Sequence, residues 1–248
     1  MPRFFPLGTS RLHETMEVHP DLMAFPHLGY FHSSSQMVDV VAFLQGERDL
    51  SPEQARYFFR KDQTPHNRFD PTLWSDEPQA AFDTARAAFG EADRVIIEIC
   101  SPQSYRWGDL HVQGNPNHYR DAPYAEVWRE GYYATYDPSA GVTVFDDTES
   151  VSANVRALAS TLGRSGKELT VLGHLVDPGN PNATRVANNR AVEAAAADSA
   201  DLGVRYFDAS PFVAEHGFRV LDNGTVDIHH LPHAAYPSLF DALTGTSN

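Results

Sequence analysis

The run Arg94-Val95-Ile96-Ile97-Glu98-Ile99-Cys100 constrains this chain more than any other stretch, because a short, nearly unbroken series of β-branched residues reads as a strand covered on both faces. Arg3–Leu7, Leu28–His32, Glu168–His174 and Val204–Asp208 read as further strands of the same kind. Between them the period changes. Met37, Val40, Val41 and Leu44 recur at helical spacing in Ser34–Leu44, after a serine cap and before Gly46. Ser51-Pro52-Glu53 opens a helix to about Arg60, with proline in the first turn. Helices are also expected over Gln79–Phe89, Tyr124–Tyr133, Thr184–Ala200, Pro211–Gly217 and about His233–Leu243. Asp147–Leu162 adds one more, with acidic residues at its start.

Strands alternating with helices predict an α/β, three-layer α/β/α sandwich built on a mostly parallel sheet. The 248 residues hold no internal repeat and no low-complexity linker, so a single domain over 1–248 is expected. Thr64–Pro78 reads as surface loop. Ser101–Pro123, rich in Gly, Pro, Asn, His and Tyr, is long for a loop, which suits a lid or a packing segment.

Nineteen Lys and Arg against 33 Asp and Glu give a formal charge of −14, which repels phosphate backbones and anionic membrane surfaces. Neither a nucleic acid nor a membrane is an expected partner. No stretch reaches the roughly 18 apolar residues of a spanning helix. With a first strand from Arg3 there is no basic-then-apolar leader, and the lone Cys100 reads as a buried structural thiol, so a cytoplasmic location is expected.

Reactive groups in an open parallel sheet gather at the carboxyl ends of its strands, where Gly8-Thr9-Ser10-Arg11 follows the first one. A serine is a weak nucleophile until a base takes its proton, and the base needs a third group to hold its ring. Thr225-Val226-Asp227-Ile228-His229-His230 supplies that unit: Asp227 and His230 are three apart, so in a turn the carboxylate can fold back onto the imidazole.

Gly8-Thr9-Ser10 near the start with Asp227-x-x-His230 near the end resembles the SGNH or GDSL-type hydrolases. LGTSRLH followed by GYFHSSSQ is similar to a branch akin to the GSCFA-type proteins. The resemblance implies a flavodoxin-like sheet and an esterase or other acyl hydrolase with Ser10 as nucleophile, His230 as general base and then acid, and Asp227 as its orienting carboxylate. It also implies an oxyanion hole from the amides of Ser10 and Gly29. The family's third donor, an asparagine in a Gly-x-Asn-Asp block, is missing after Cys100, where the chain reads Ser101-Pro102-Gln103-Ser104. Ser101 is the candidate replacement, with Asn115 and Asn117 as others.

Arg11, His13 and His32 flank the expected site and could bind an acidic group of the substrate. For Arg11, pairing with a local carboxylate is the plainer expectation. The expected substrate is a small-molecule or carbohydrate acyl compound, with no cofactor required, and the same triad would serve an acyltransferase. Two other readings stay open: a metal site at His229, His230 and His233, against which Pro232 argues, and a noncatalytic binding protein with an incomplete oxyanion hole.

Overall fold

A computed structural model of the chain describes residues 2–25, 28–50, 54, 78–113 and 140–246. Its main sheet has four parallel strands in the order β1 (Phe4–Leu7), β2 (Arg94–Glu98), β6 (Glu168–Leu172) and β7 (Val204–Phe207). Alternation along these strands sends side chains to two faces, and both are apolar. Phe5, Leu7, Val95, Ile97, Leu169 and Val171 join one buried cluster, while Phe4, Ile96 and Leu172 join another.

Helices α2 (Ser34–Leu44), α3 (Pro78–Glu91), α4 (Thr148–Arg164) and α5 (Ala183–Asp198) belong with the first face through Met37, Phe89, Val155 and Val192. Helices α1 (Ser10–Met16) and α7 (Tyr236–Thr244) cover the second through Leu12, Met16, Phe240 and Leu243. This is an α/β fold with helices on both sides of a parallel sheet. The helix starts follow local chemistry. Ser33 and Gln36 form a reciprocal capping box at α2, and Asp147 accepts from the Ser150 N–H at 2.8 Å at the start of α4. Among the described residues no helix is long and apolar enough to cross a membrane.

The expected second strand, Leu28–His32, is reduced to a single parallel bridge between Tyr30 and Gly8, beside a second bridge between Met23 and Phe4. The Phe31 N–H donates to the Gly8 carbonyl at 3.0 Å, so the segment follows the outer edge of β1 without sustaining a ladder.

The expected loop from Ser101 is instead structured up to residue 113. β3 (Gln103–Trp107) pairs antiparallel with β4 (Leu110–Val112) and β5 (Ala140–Phe145) in a separate small sheet. Trp107, Leu110 and Val112 are buried in the first core cluster, and this anchors the excursion to the domain. Residues 114–139, including Asn115, Asn117 and the helix expected at Tyr124–Tyr133, lie outside the described residues. So do the Thr64–Pro78 loop, up to residue 77, and, apart from Gln54, the helix expected at Ser51–Arg60.

After α6 (Ser210–His216), a hairpin of β8 (Arg219–Val220) and β9 (Val226–Asp227) turns through Leu221–Thr225 and delivers the chain to His230.

Candidate active site

Ser10 is the first residue of α1, directly beyond the carboxyl end of β1. Its position depends on the residue before it. Glu98, at the end of β2 and 1% exposed, accepts from the Thr9 N–H at 2.8 Å and the Thr9 hydroxyl at 2.6 Å. The other carboxylate oxygen of Glu98 takes Arg11 Nε at 2.6 Å. One buried carboxylate therefore grips the residues on both sides of Ser10. Burial works against its charge, but Arg11 and the two Thr9 donors outweigh burial and hold Glu98 below the usual carboxylate range. Gly8 is obligatory beside it, because a Cβ there would stand 2.7 Å from the Glu98 Cβ.

The hairpin brings the acid–base unit to this point. The Asp227 carboxylate accepts the His229 N–H at 3.0 Å through one oxygen and His230 Nδ1 at 2.7 Å through the other, within a turn closed by the His230 N–H on the Asp227 carbonyl. Burial opposes ionisation of Asp227, yet the His229 N–H and the His230 ring hold its carboxyl below the ordinary value. An ionised carboxylate only accepts, so Nδ1 carries a proton, and in the neutral ring this leaves Nε2 as the acceptor that faces Ser10. Nε2 lies 2.7 Å from Ser10 Oγ, across 220 positions of sequence. Ser10, His230 and Asp227 thus form one continuous hydrogen-bonded chain.

The other residues singled out from the sequence sit differently. Arg11 is 7% exposed; besides Glu98 it meets His174 Nε2 at 3.1 Å. His13 is 2% exposed, with its ring against Tyr30 at 5.9 Å between centroids. His32 is half-buried; its backbone carbonyl takes the N–H groups of Cys100 and Ser101, and its Nε2 accepts from the Gln113 amide at 3.0 Å. Burial, then the charge of Arg11, pushes the His32 imidazole down to about 4. Gly29 is buried next to Tyr30, alongside the end of β1. The Ser101 N–H is directed at His32, and its hydroxyl accepts from the Gln103 N–H at 3.0 Å, so Ser101 shapes the turn into β3. The Cys100 thiol is pushed up to about 12 by burial, which keeps it protonated.

For a metal, the rings of the C-terminal histidines point the wrong way. His230 faces Ser10 and Asp227, His229 Nδ1 faces Arg185 at 3.5 Å, and His233 packs on Tyr236. Among the described residues no three His, Cys, Asp or Glu side chains converge to hold an ion.

The structure adds residues that sequence reasoning did not single out. Glu98 had a visible signal, being the one acid inside an apolar run. His174 follows β6; its Nδ1–H donates to the Leu175 carbonyl, and its backbone is clamped on both sides by the Asn189 amide at 2.7 Å. Gly173 leaves the room that clamp needs, since a Cβ there would collide with Asn189. Beside the His230 arm, a cleft of about 560 Å³ is bounded by Val176, Phe218, Val226 and Ile228 on its apolar side and by Asn180, Asn182 and Arg185 on its polar side.

No curated protein matches the chain. Residues 3–132 match the family described as TviD N-terminal domain, a stretch that includes Ser10 and Glu98 and ends before Asp227 and His230. With just over half of its length matched, the chain belongs to the TviD N-terminal domain family.

Proposed function

We propose that the protein is a serine acyl hydrolase of the SGNH type, acting on an ester-like bond through Ser10, His230 and Asp227. The observation that carries this reading is the pair of 2.7 Å hydrogen bonds joining Ser10 Oγ to His230 Nε2 and His230 Nδ1 to Asp227. The order of the sheet supports it. The four strands are parallel in the order β1-β2-β6-β7, with Tyr30 bridged to Gly8 at the end of β1, and Ser10 lies at the carboxyl edge of this sheet.

In this reading Ser10 Oγ attacks the acyl carbon as its proton passes to Nε2. The carbonyl π bond opens to an oxyanion, and the imidazolium is held by Asp227. Collapse expels the leaving alcohol, which takes the proton from Nε2. Water repeats the sequence on the acyl-serine. The Ser10 N–H belongs to the first turn of α1 and so lacks an intrahelical acceptor, which suits it to the oxyanion, with Gly29 as its candidate companion.

The test is fluorophosphonate labelling followed by peptide mapping. A stoichiometric adduct on Ser10, absent in Ser10→Ala and greatly slowed in His230→Ala, is expected. A folded chain that takes up no adduct and hydrolyses no small p-nitrophenyl ester would leave binding without turnover as the better reading.

A further inference from the structure

We propose that Glu14 and Arg219 form a positioning pair that fixes the base on the nucleophile, an inference that rests on the triad reading above. Glu14 stands four residues after Ser10 and so on the same side of α1. Its carboxylate is paired with the Arg219 guanidinium, and one of its oxygens lies 3.7 Å from His230 Nε2, the nitrogen that faces Ser10. Arg219 holds the other partner. Its backbone N–H donates to the His230 carbonyl at 2.8 Å, while its side chain donates through Nε to the Leu231 carbonyl at 3.2 Å and through Nη2 to the Tyr236 hydroxyl at 3.1 Å.

The Arg219 guanidinium therefore ties the Leu231 carbonyl, next to the base, to the helix carrying the nucleophile, while its backbone N–H holds the His230 carbonyl. Without its side chain, the Arg219 backbone N–H still holds the His230 carbonyl and Arg185 the Ile228 carbonyl, but the ion pair that ties this segment to α1 is lost. The pair is also well placed to persist, with side chains only 18% and 26% exposed. Arg219 has a second effect: it keeps the Glu14 carboxylate engaged, so that Glu14 does not draw Nε2 away from Ser10 once that nitrogen carries a proton. Neither residue gains or loses a proton in the reaction. Their action is on the distance and aim of His230.

The experiment uses the full chain, with fluorophosphonate labelling of Ser10 and p-nitrophenyl acetate hydrolysis as readouts, at a temperature where circular dichroism shows each variant folded. Glu14→Ala and Arg219→Ala are expected to slow labelling and lower kcat by about tenfold or more, a loss of the size that misplacing a reacting group causes. KM is expected to stay within about twofold, because substrate contacts are untouched. Glu14→Gln keeps a hydrogen-bond acceptor for Arg219 and is expected to recover most of the lost rate. Wild-type labelling rates in folded Glu14→Ala and Arg219→Ala would overturn the inference while leaving the triad standing. Absence of any adduct on wild-type Ser10 would instead overturn the triad reading, and this inference with it.

Discussion

In the proposed mechanism each partner in the Ser10–His230–Asp227 chain has a single role, and this makes single substitutions informative. Asp227→Asn would replace an acceptor-only carboxylate by an amide able to donate to Nδ1. The proton would then favour Nε2, and Ser10 would face a donor. The expected result is a folded protein whose labelling rate falls by about 10³–10⁴, as when such a carboxylate is neutralised in other triads; a loss under tenfold would argue against a base oriented by Asp227. Glu98→Ala acts on a different quantity. It leaves the Arg11 guanidinium buried without its partner and frees Thr9, and breaking a buried pair in this way costs about 3–5 kcal/mol. A drop of that size in urea unfolding, with labelling slowed even where the chain is folded, is expected.

At the scale of elements, what the sequence made legible was what local chemistry decides. Arg94–Glu98 and Glu168–Leu172 are strands because both faces are apolar, and α2 begins at Ser34 because the capping box at Ser33 and Gln36 is local. Ser33→Ala should therefore cost about 1 kcal/mol of stability without slowing Ser10 labelling in the folded protein, since the cap lies on α2 and the triad on α1 and the hairpin. Changes in the other direction, labelling slowed with stability intact, would mean that α2 reports to the site. The antiparallel strands β3 and β4 were not legible. Gln103-Ser104-Tyr105-Arg106-Trp107 mixes polar and aromatic residues, and its burial comes from packing Trp107, Leu110 and Val112 into a core that local pattern does not reveal. The Asp227–His230 spacing could be read as a folded-back pair because it is one turn long. The grip of Glu98 on Thr9 and Arg11, and of Arg219 on Glu14, spans about 90 and about 200 positions respectively and needs the fold itself.

Over the whole molecule, the carboxyl edge of the sheet carries two imidazoles that burial keeps neutral, and this links stability to pH. Burial first, then the charge of Arg11, lowers His32 to about 4 and His174 to about 3. In the unfolded chain both return to an ordinary value near 6.5. Above that pH both states are neutral and the full stability is present. Below it the unfolded chain takes up protons that the folded one refuses, so stability falls by about 1.4 kcal/mol per pH unit for each imidazole until the folded values are reached. Glu98 and Asp227, both held below the usual carboxylate range, extend the loss to more acidic pH. The formal charge of −14 works the other way, because acid relieves self-repulsion, so a bare pH profile mixes the two effects. Comparison with His174→Gln separates them. The glutamine keeps an acceptor for Arg11 and cannot titrate, and it leaves the overall charge at neutral pH unchanged. Urea midpoints should fall from pH 6.5 to 4.5 in the wild type and fall less steeply in His174→Gln, the two curves converging as pH drops. Parallel curves would show that His174 takes up its proton equally in both states, and the neutral imidazole beside Arg11 would have to be given up.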